Sequence, residues 1–135
     1  MDGGRSDPAL LRRAADLAID FLTDLPQRPV GRPIAPDVLR AALSGPLPDQ
    51  GEDPAAVIAH LARTADPGLV ASAGPRYFGF VIGGSLPVTV ATEWLAAAWD
   101  QNAGNYPASP AASVVEEVAG GWLRDLFGLP AGASV

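Results

Sequence analysis

Lysine is absent from this chain of 135 residues, whose nine basic residues are all arginine. No side-chain amine can therefore form an imine, and the guanidinium is no substitute because it stays protonated and is a poor nucleophile. A phosphate-gripping P-loop is excluded as well: GFVIGGS (79–85) has the glycines but neither the lysine nor the strand-to-helix spacing. Cysteine is also missing, which removes disulfides, iron–sulfur ligation and thiol catalysis and fits a reducing compartment. His60 is the single histidine, and with no cysteine beside it no metal cluster can be drawn from the sequence. On its helix it points away from the apolar Val57/Ile58/Leu61 face, as a solvated surface histidine does. Nothing local offers the nucleophile and carboxylate of a triad, and the adjacent Glu116 and Glu117 point in different directions, so they cannot pair as acid and base. No residue is assigned a catalytic or metal-binding role.

Long apolar runs are lacking too, so no bilayer span is expected, and the opening MDGGRSDPALLRRAADL has no basic head followed by an apolar stretch. A net charge of −6, with the arginines scattered, disfavours nucleic acid and anionic membrane surfaces as partners. The expectation is a soluble, cytoplasmic protein.

What is present is helical periodicity punctuated by 14 prolines. Residues 7–25 carry an apolar stripe from Leu10 to Leu25, with Asp7 as N-cap and Pro8 in the first helical position. That stripe must lie against its own domain or a second subunit. LPQRPVGRPIAP (25–36) is too rich in proline for helix or central strand and predicts an extended connector. A short helix is expected from Pro36 to Leu43. Another begins at Asp53-Pro54, with Val57, Ile58, Leu61 and Ala65 on one face, and Asp66-Pro67-Gly68 stops or bends it. So few residues in short helices cannot enclose a large core, so this half is expected to fold onto another surface. Tyr77 to Ile82 is an aromatic and β-branched run, either a buried strand or an extended loop, ending in Gly83-Gly84, which permit positive backbone angles. A helix follows from Pro87 to about Gln101, then the loop NAGNYPA (102–108). The last helix is capped by Ser109-Pro110, with Val114, Val115, Val118, Ala119, Trp122 and Leu126 on its buried side, and is terminated by Gly128. Gly120 and Gly121 in mid-helix suggest a close helix crossing or a kink.

Taken in order, P-R-Y-F-G-F (75–80), Gly83-Gly84-Ser85, E-W-L (93–95), D-Q-N-A-G-N-Y (100–106) and S-P followed by V-V-E-E-V (109–118) resemble the early part of the pyridoxal-phosphate-dependent group II amino-acid decarboxylases, of the glutamate and aromatic-amino-acid type. The resemblance is specific from Pro75 onward and looser before it. It implies an N-terminal helical, dimer-wrapping segment (1–73) and the beginning of the large α/β domain of a fold-type I enzyme (74–135), with this part mostly α. It further implies an amino acid as substrate, a homodimer, and pyridoxal 5'-phosphate as the cofactor whose ring takes up electrons when the α-carboxylate leaves. By position it assigns Phe80, Val81, Ile82 and Gly83 to a substrate-contacting turn, and Asn102 and Tyr106 to pocket lining near a subunit interface. Relatives often place a hydroxyl or amide in that turn, whereas here it is apolar or glycine. The family's cofactor-binding motifs and imine lysine lie downstream of the matched region, so the chain reads as an inactive fragment of such an enzyme. Two other readings stand beside it: a non-catalytic helical interaction or dimerisation protein, and part of a related cofactor enzyme such as an aminotransferase-like one.

Overall fold

The computed structural model describes residues 7–134. The described residues form α1 (Pro8–Asp24), α2 (Pro36–Leu43), α3 (Pro54–Ala65), a 3-10 turn (Asp66–Gly68), α4 (Pro87–Trp99) and α5 (Pro110–Phe127), with no strand among them. The aromatic run at Tyr77–Ile82 takes the loop option.

Every one of these α-helices opens on proline. The first helical position has no intrahelical use for an N–H, and the ring's fixed φ already suits a helix. Three starts are closed by side chains as well. Asp7 accepts from the Ala9 N–H at 2.8 Å, Asp53 from Ala56 at 2.9 Å, and Ser109 from Ala112 at 3.3 Å. At the far end of α5, Gly128 sits at φ 61°, and the Leu129 and Gly128 N–H groups donate to the carbonyls of Arg124 and Asp125 at 2.9 and 3.3 Å. This is a Schellman closure. α4 stops two residues earlier than its sequence suggests, because Asp100 turns left-handed at φ 48° and ends the helix.

The chain divides into two compact units, the first ending at Gly84 and the second beginning at Ser85. In the first, α3 packs against both α1 and α2. Ala59 and Ala62 line the groove between it and α1; of the residues expected on its packing face, Ile58 and Ala65 are half-buried, whereas Val57 and Leu61 are exposed. Small residues let the two helices approach, and Val57 and Leu61 are left for another surface. Leu39 of α2 lies so close to Gly68 that an added Cβ would sit 2.7 Å from its Cδ1. In the second unit, Gln101 and Ser109 are joined across the intervening loop by a 3.2 Å hydrogen bond.

Burial is sparse in both units. Among the described residues only Leu25 (8% exposed), Ala71 (2%) and Ser109 (0%) are closed off from solvent. The expected buried side of α5 is open: Val114, Val115, Val118, Trp122 and Leu126 are all exposed. Nor does a neighbouring described element cross at Gly121, where an added Cβ would meet only the Arg124 guanidinium, at 3.9 Å.

Candidate functional site

The candidate site grows from the knot that closes the first unit. Leu25, at the end of α1, and Ala71 are its buried centre. The Ala71 N–H donates to the Val30 carbonyl at 2.8 Å, pinning the proline connector against the segment that follows the 3-10 turn. Gly74 fits between backbones: a Cβ there would lie 3.1 Å from the Ala71 carbonyl oxygen and 3.3 Å from that of Leu25. Arg28 ties in three further pieces. Its guanidinium bonds to the Asp66 carboxylate at 2.5 Å and stands 4.6 Å over the Phe21 ring, while its carbonyl accepts from the Arg76 guanidinium.

From this base the loop runs outward. The Ile82 N–H donates to the Gly79 carbonyl at 3.1 Å, and Phe80 and Val81 between them have φ of 54° and 56°. One such bond with two positive φ values is a turn of the I′ kind, normally built from Asn and Gly. A β-branched residue there is strained, by ~1–3 kcal/mol. Their side chains are bare, Phe80 at 92% and Val81 at 106% of full exposure. The positive angles thus fall on Phe80 and Val81; Gly83 and Gly84, where glycine chemistry pointed, do not need them. Gly84 has another reason, since a Cβ on it would lie 3.4 Å from the Ala73 Cα. Tyr77 covers Gly79, its hydroxyl 3.2 Å from where a Cβ would stand.

Of the residues assigned to a pocket wall, Phe80, Val81, Ile82 and Gly83 share this loop of the first unit, with Ile82 half exposed at 51%. Asn102 and Tyr106 belong to the second. The Asn102 side chain accepts from the Gly104 N–H at 3.0 Å and so closes its own loop; Tyr106 is exposed. His60 lies at the surface, as expected, its Nδ1 3.4 Å from the Arg63 guanidinium.

A feature with no sequence signal is the open groove of about 720 Å³ between α1 and α3. Leu17, Ala18, Phe21, Ala59 and Ala62 line it, with Arg13, Arg63, Asp20 and Asp24 among its charged groups. Arg13, Arg28 and Arg63 in its lining balance Asp20, Asp24 and Asp66, so it carries no net attraction for an ion of either sign. The described residues hold no group of three or more metal-ligating side chains, and no described helix is long and apolar enough to cross a membrane. What the arrangement offers chemically is therefore a projecting apolar turn on a polar, hydrogen-bonded base.

Comparison with known proteins gives this geometry a setting. No family model matches the chain. Over 118 residues it is 29% identical to an aromatic-L-amino-acid decarboxylase of Bacillus atrophaeus, covering 87% of this chain and 25% of that protein. Over 128 residues it is 28% identical to tyrosine decarboxylase 1 of Narcissus pseudonarcissus, covering 92% and 25%. Among solved structures, the crystal structure of Rhodiola rosea 4-hydroxyphenylacetaldehyde synthase superposes with a TM-score of 0.73 at 25% identity, over 92% of this chain and 27% of that one. The chain spans about a quarter of the length of these relatives. Over that quarter it is similar to aromatic-amino-acid and tyrosine decarboxylases and to an aldehyde synthase.

Proposed function

We propose that this chain is the N-terminal part of a pyridoxal-phosphate-dependent carboxy-lyase acting on an amino acid, in which it supplies a wall of the substrate pocket and a contact between subunits. The observation that carries the first role is the bare Phe80–Val81 turn: a strained backbone presents two apolar side chains away from their own unit, and strain of this kind clusters where ligands are held. Phe80, Val81, Ile82 and Gly83 would face the substrate, and with no hydroxyl or amide among them they would favour an apolar side chain over a carboxylate contact. Asn102 and Tyr106 would line the pocket from near the interface. The uncovered face of α5, with the exposed Leu11, Ile19 and Leu22 of α1, supports the second role, since exposed apolar surface marks association. In this reading residues 1–73 wrap a homodimer partner, residues 74–135 begin the large α/β domain, and the whole protein is cytoplasmic.

The residues present do not fit the cofactor. With no lysine among residues 1–135, none can carry it covalently, so the imine lysine is assigned to a part of the polypeptide outside them, and residues 1–135 take no step of the bond-breaking chemistry. A second reading, a non-catalytic helical dimerisation protein, is favoured by the same exposed apolar surface and the same missing lysine.

The test is release of carbon dioxide from aromatic L-amino acids by the whole protein that carries this chain, beside Phe80→Ser and Val81→Ser variants. One apolar contact is worth ~1–3 kcal/mol, so each variant is expected to lose about tenfold or more in kcat/KM. Turnover by residues 1–135 alone, or variants indistinguishable from the parent, would overturn the proposal. An inactive whole protein that still dimerises would favour the second reading.

A further inference from the structure

We infer that Arg76 and Arg28 are positioning residues that aim the Phe80–Val81 turn, an inference that rests on reading that turn as a substrate wall. The turn has little to hold it in place. Phe78, Phe80 and Val81 touch almost nothing, at 94%, 92% and 106% exposure, and the one hydrogen bond within the turn, from Ile82 to Gly79, ties it to nothing outside itself and persists only while the base holds the loop. Direction has to come from the base, and there the side chain nearest in sequence that reaches another element is Arg76.

Arg76 donates to a main-chain carbonyl, that of Arg28. A carbonyl is a neutral acceptor fixed in the backbone, so the bond depends on where Arg28 stands more than on charge. Arg28 is held on several sides. Its N–H donates to the Asp24 carbonyl at 2.9 Å, extending the last turn of α1, and its guanidinium is gripped by Asp66 and lies over Phe21. The side chain is only 20% exposed, against 49% for Asp66. A chain of contacts therefore runs from the 3-10 turn through Arg28 to Arg76 and on into the loop, crossing 38 residues of sequence at one step and 48 at the next. The Ala71-to-Val30 bond runs alongside it but ends before the loop begins.

The device should be visible in the backbone of the loop itself. Nuclear magnetic resonance of the 135-residue chain would follow amide exchange at Ile82, at Ala71 and along α1 and α3, for Arg76→Gln, Arg76→Lys, Arg28→Lys and Asp66→Asn. Losing one hydrogen bond from a charged donor is expected to speed Ile82 exchange about tenfold in Arg76→Gln. Ala71 and the helices should exchange as before, and Arg76→Lys should recover most of the protection. Arg28→Lys and Asp66→Asn should show the same loop effect at smaller size. Unchanged exchange at Ile82 in Arg76→Gln would overturn the inference, and so would faster exchange spread through α1 and α3, which would make the contact a general prop. In the whole protein, Arg76→Gln should raise KM several-fold with kcat nearly unchanged. If Phe80→Ser raises KM and Arg76→Gln does not, the positioning inference fails alone; if neither does, the substrate-wall reading fails with it.

Discussion

Replacing Val81 with glycine should stabilise the first unit, although it removes a side chain. At φ 56° the valine occupies the left-handed region, which costs a residue bearing a Cβ ~1–2 kcal/mol. Glycine escapes that cost but enlarges the unfolded ensemble, which offsets ~0.5–1 kcal/mol. No packing is lost on the other side of the balance, because the valine is fully exposed at 106%. The net expectation is a gain of ~0.5–1 kcal/mol. Followed by circular dichroism in urea, with a slope of ~1–2 kcal/mol per molar, the midpoint should rise by roughly half a molar. Phe78 supplies a control of opposite sign: it is equally bare but not among the positive-φ residues, so Phe78→Gly should lower stability by ~0.5–1 kcal/mol through the same entropy. A Val81→Gly midpoint that falls alongside that of Phe78→Gly would refute the left-handed turn.

Ser109→Ala should cost ~1–2 kcal/mol, because the buried hydroxyl both caps α5 and donates to Gln101; thermal unfolding of the variant measures it, and a loss under a few tenths would contradict the cap. Gly121→Ala should gain about 1 kcal/mol of helix stability, since among the described residues only the flexible end of Arg124, at 3.9 Å, comes near the new methyl group, and a drop in far-ultraviolet ellipticity would show that the glycine is needed there. The bare face of α5 and the exposed Leu11, Ile19 and Leu22 of α1 should make the chain associate as its concentration rises and bind a hydrophobic dye. Sedimentation velocity checks this, and a monodisperse monomer with sharp thermal unfolding would contradict it.

Helix positions are legible in the sequence because their signals are local. Asp7, Asp53 and Ser109 followed by proline, and Gly128 at the end, act within one turn of backbone. What a helix packs against is not local. On α3 periodicity finds the half-buried Ile58 and Ala65 but also counts the exposed Val57 and Leu61 and passes over the half-buried Ala59 and Ala62, because it ranks residues by hydrophobicity and cannot register how closely α1 comes. The groove escapes sequence reading for the same cause, since Arg28 and Asp66 are brought together only by the turn after α3. Strain is hidden in another way. Gly83-Gly84 advertises a left-handed backbone, yet the turn lies at Phe80 and Val81, residues that composition argues against. The assignment of Phe80–Gly83, Asn102 and Tyr106 to a pocket comes from family resemblance and stands as a proposal.

The proline that opens each helix has a consequence for assembly. A helix whose start is written into the chain cannot lengthen, shorten or slide its first turn to suit whatever comes to lie on it. Were a partner to lie on them, each would meet it with its start already fixed, leaving its tilt, its rotation and its far end to be decided. Specificity must then reside in the order and spacing of the side chains along each rod, and a partner surface of the wrong pitch would be refused rather than accommodated.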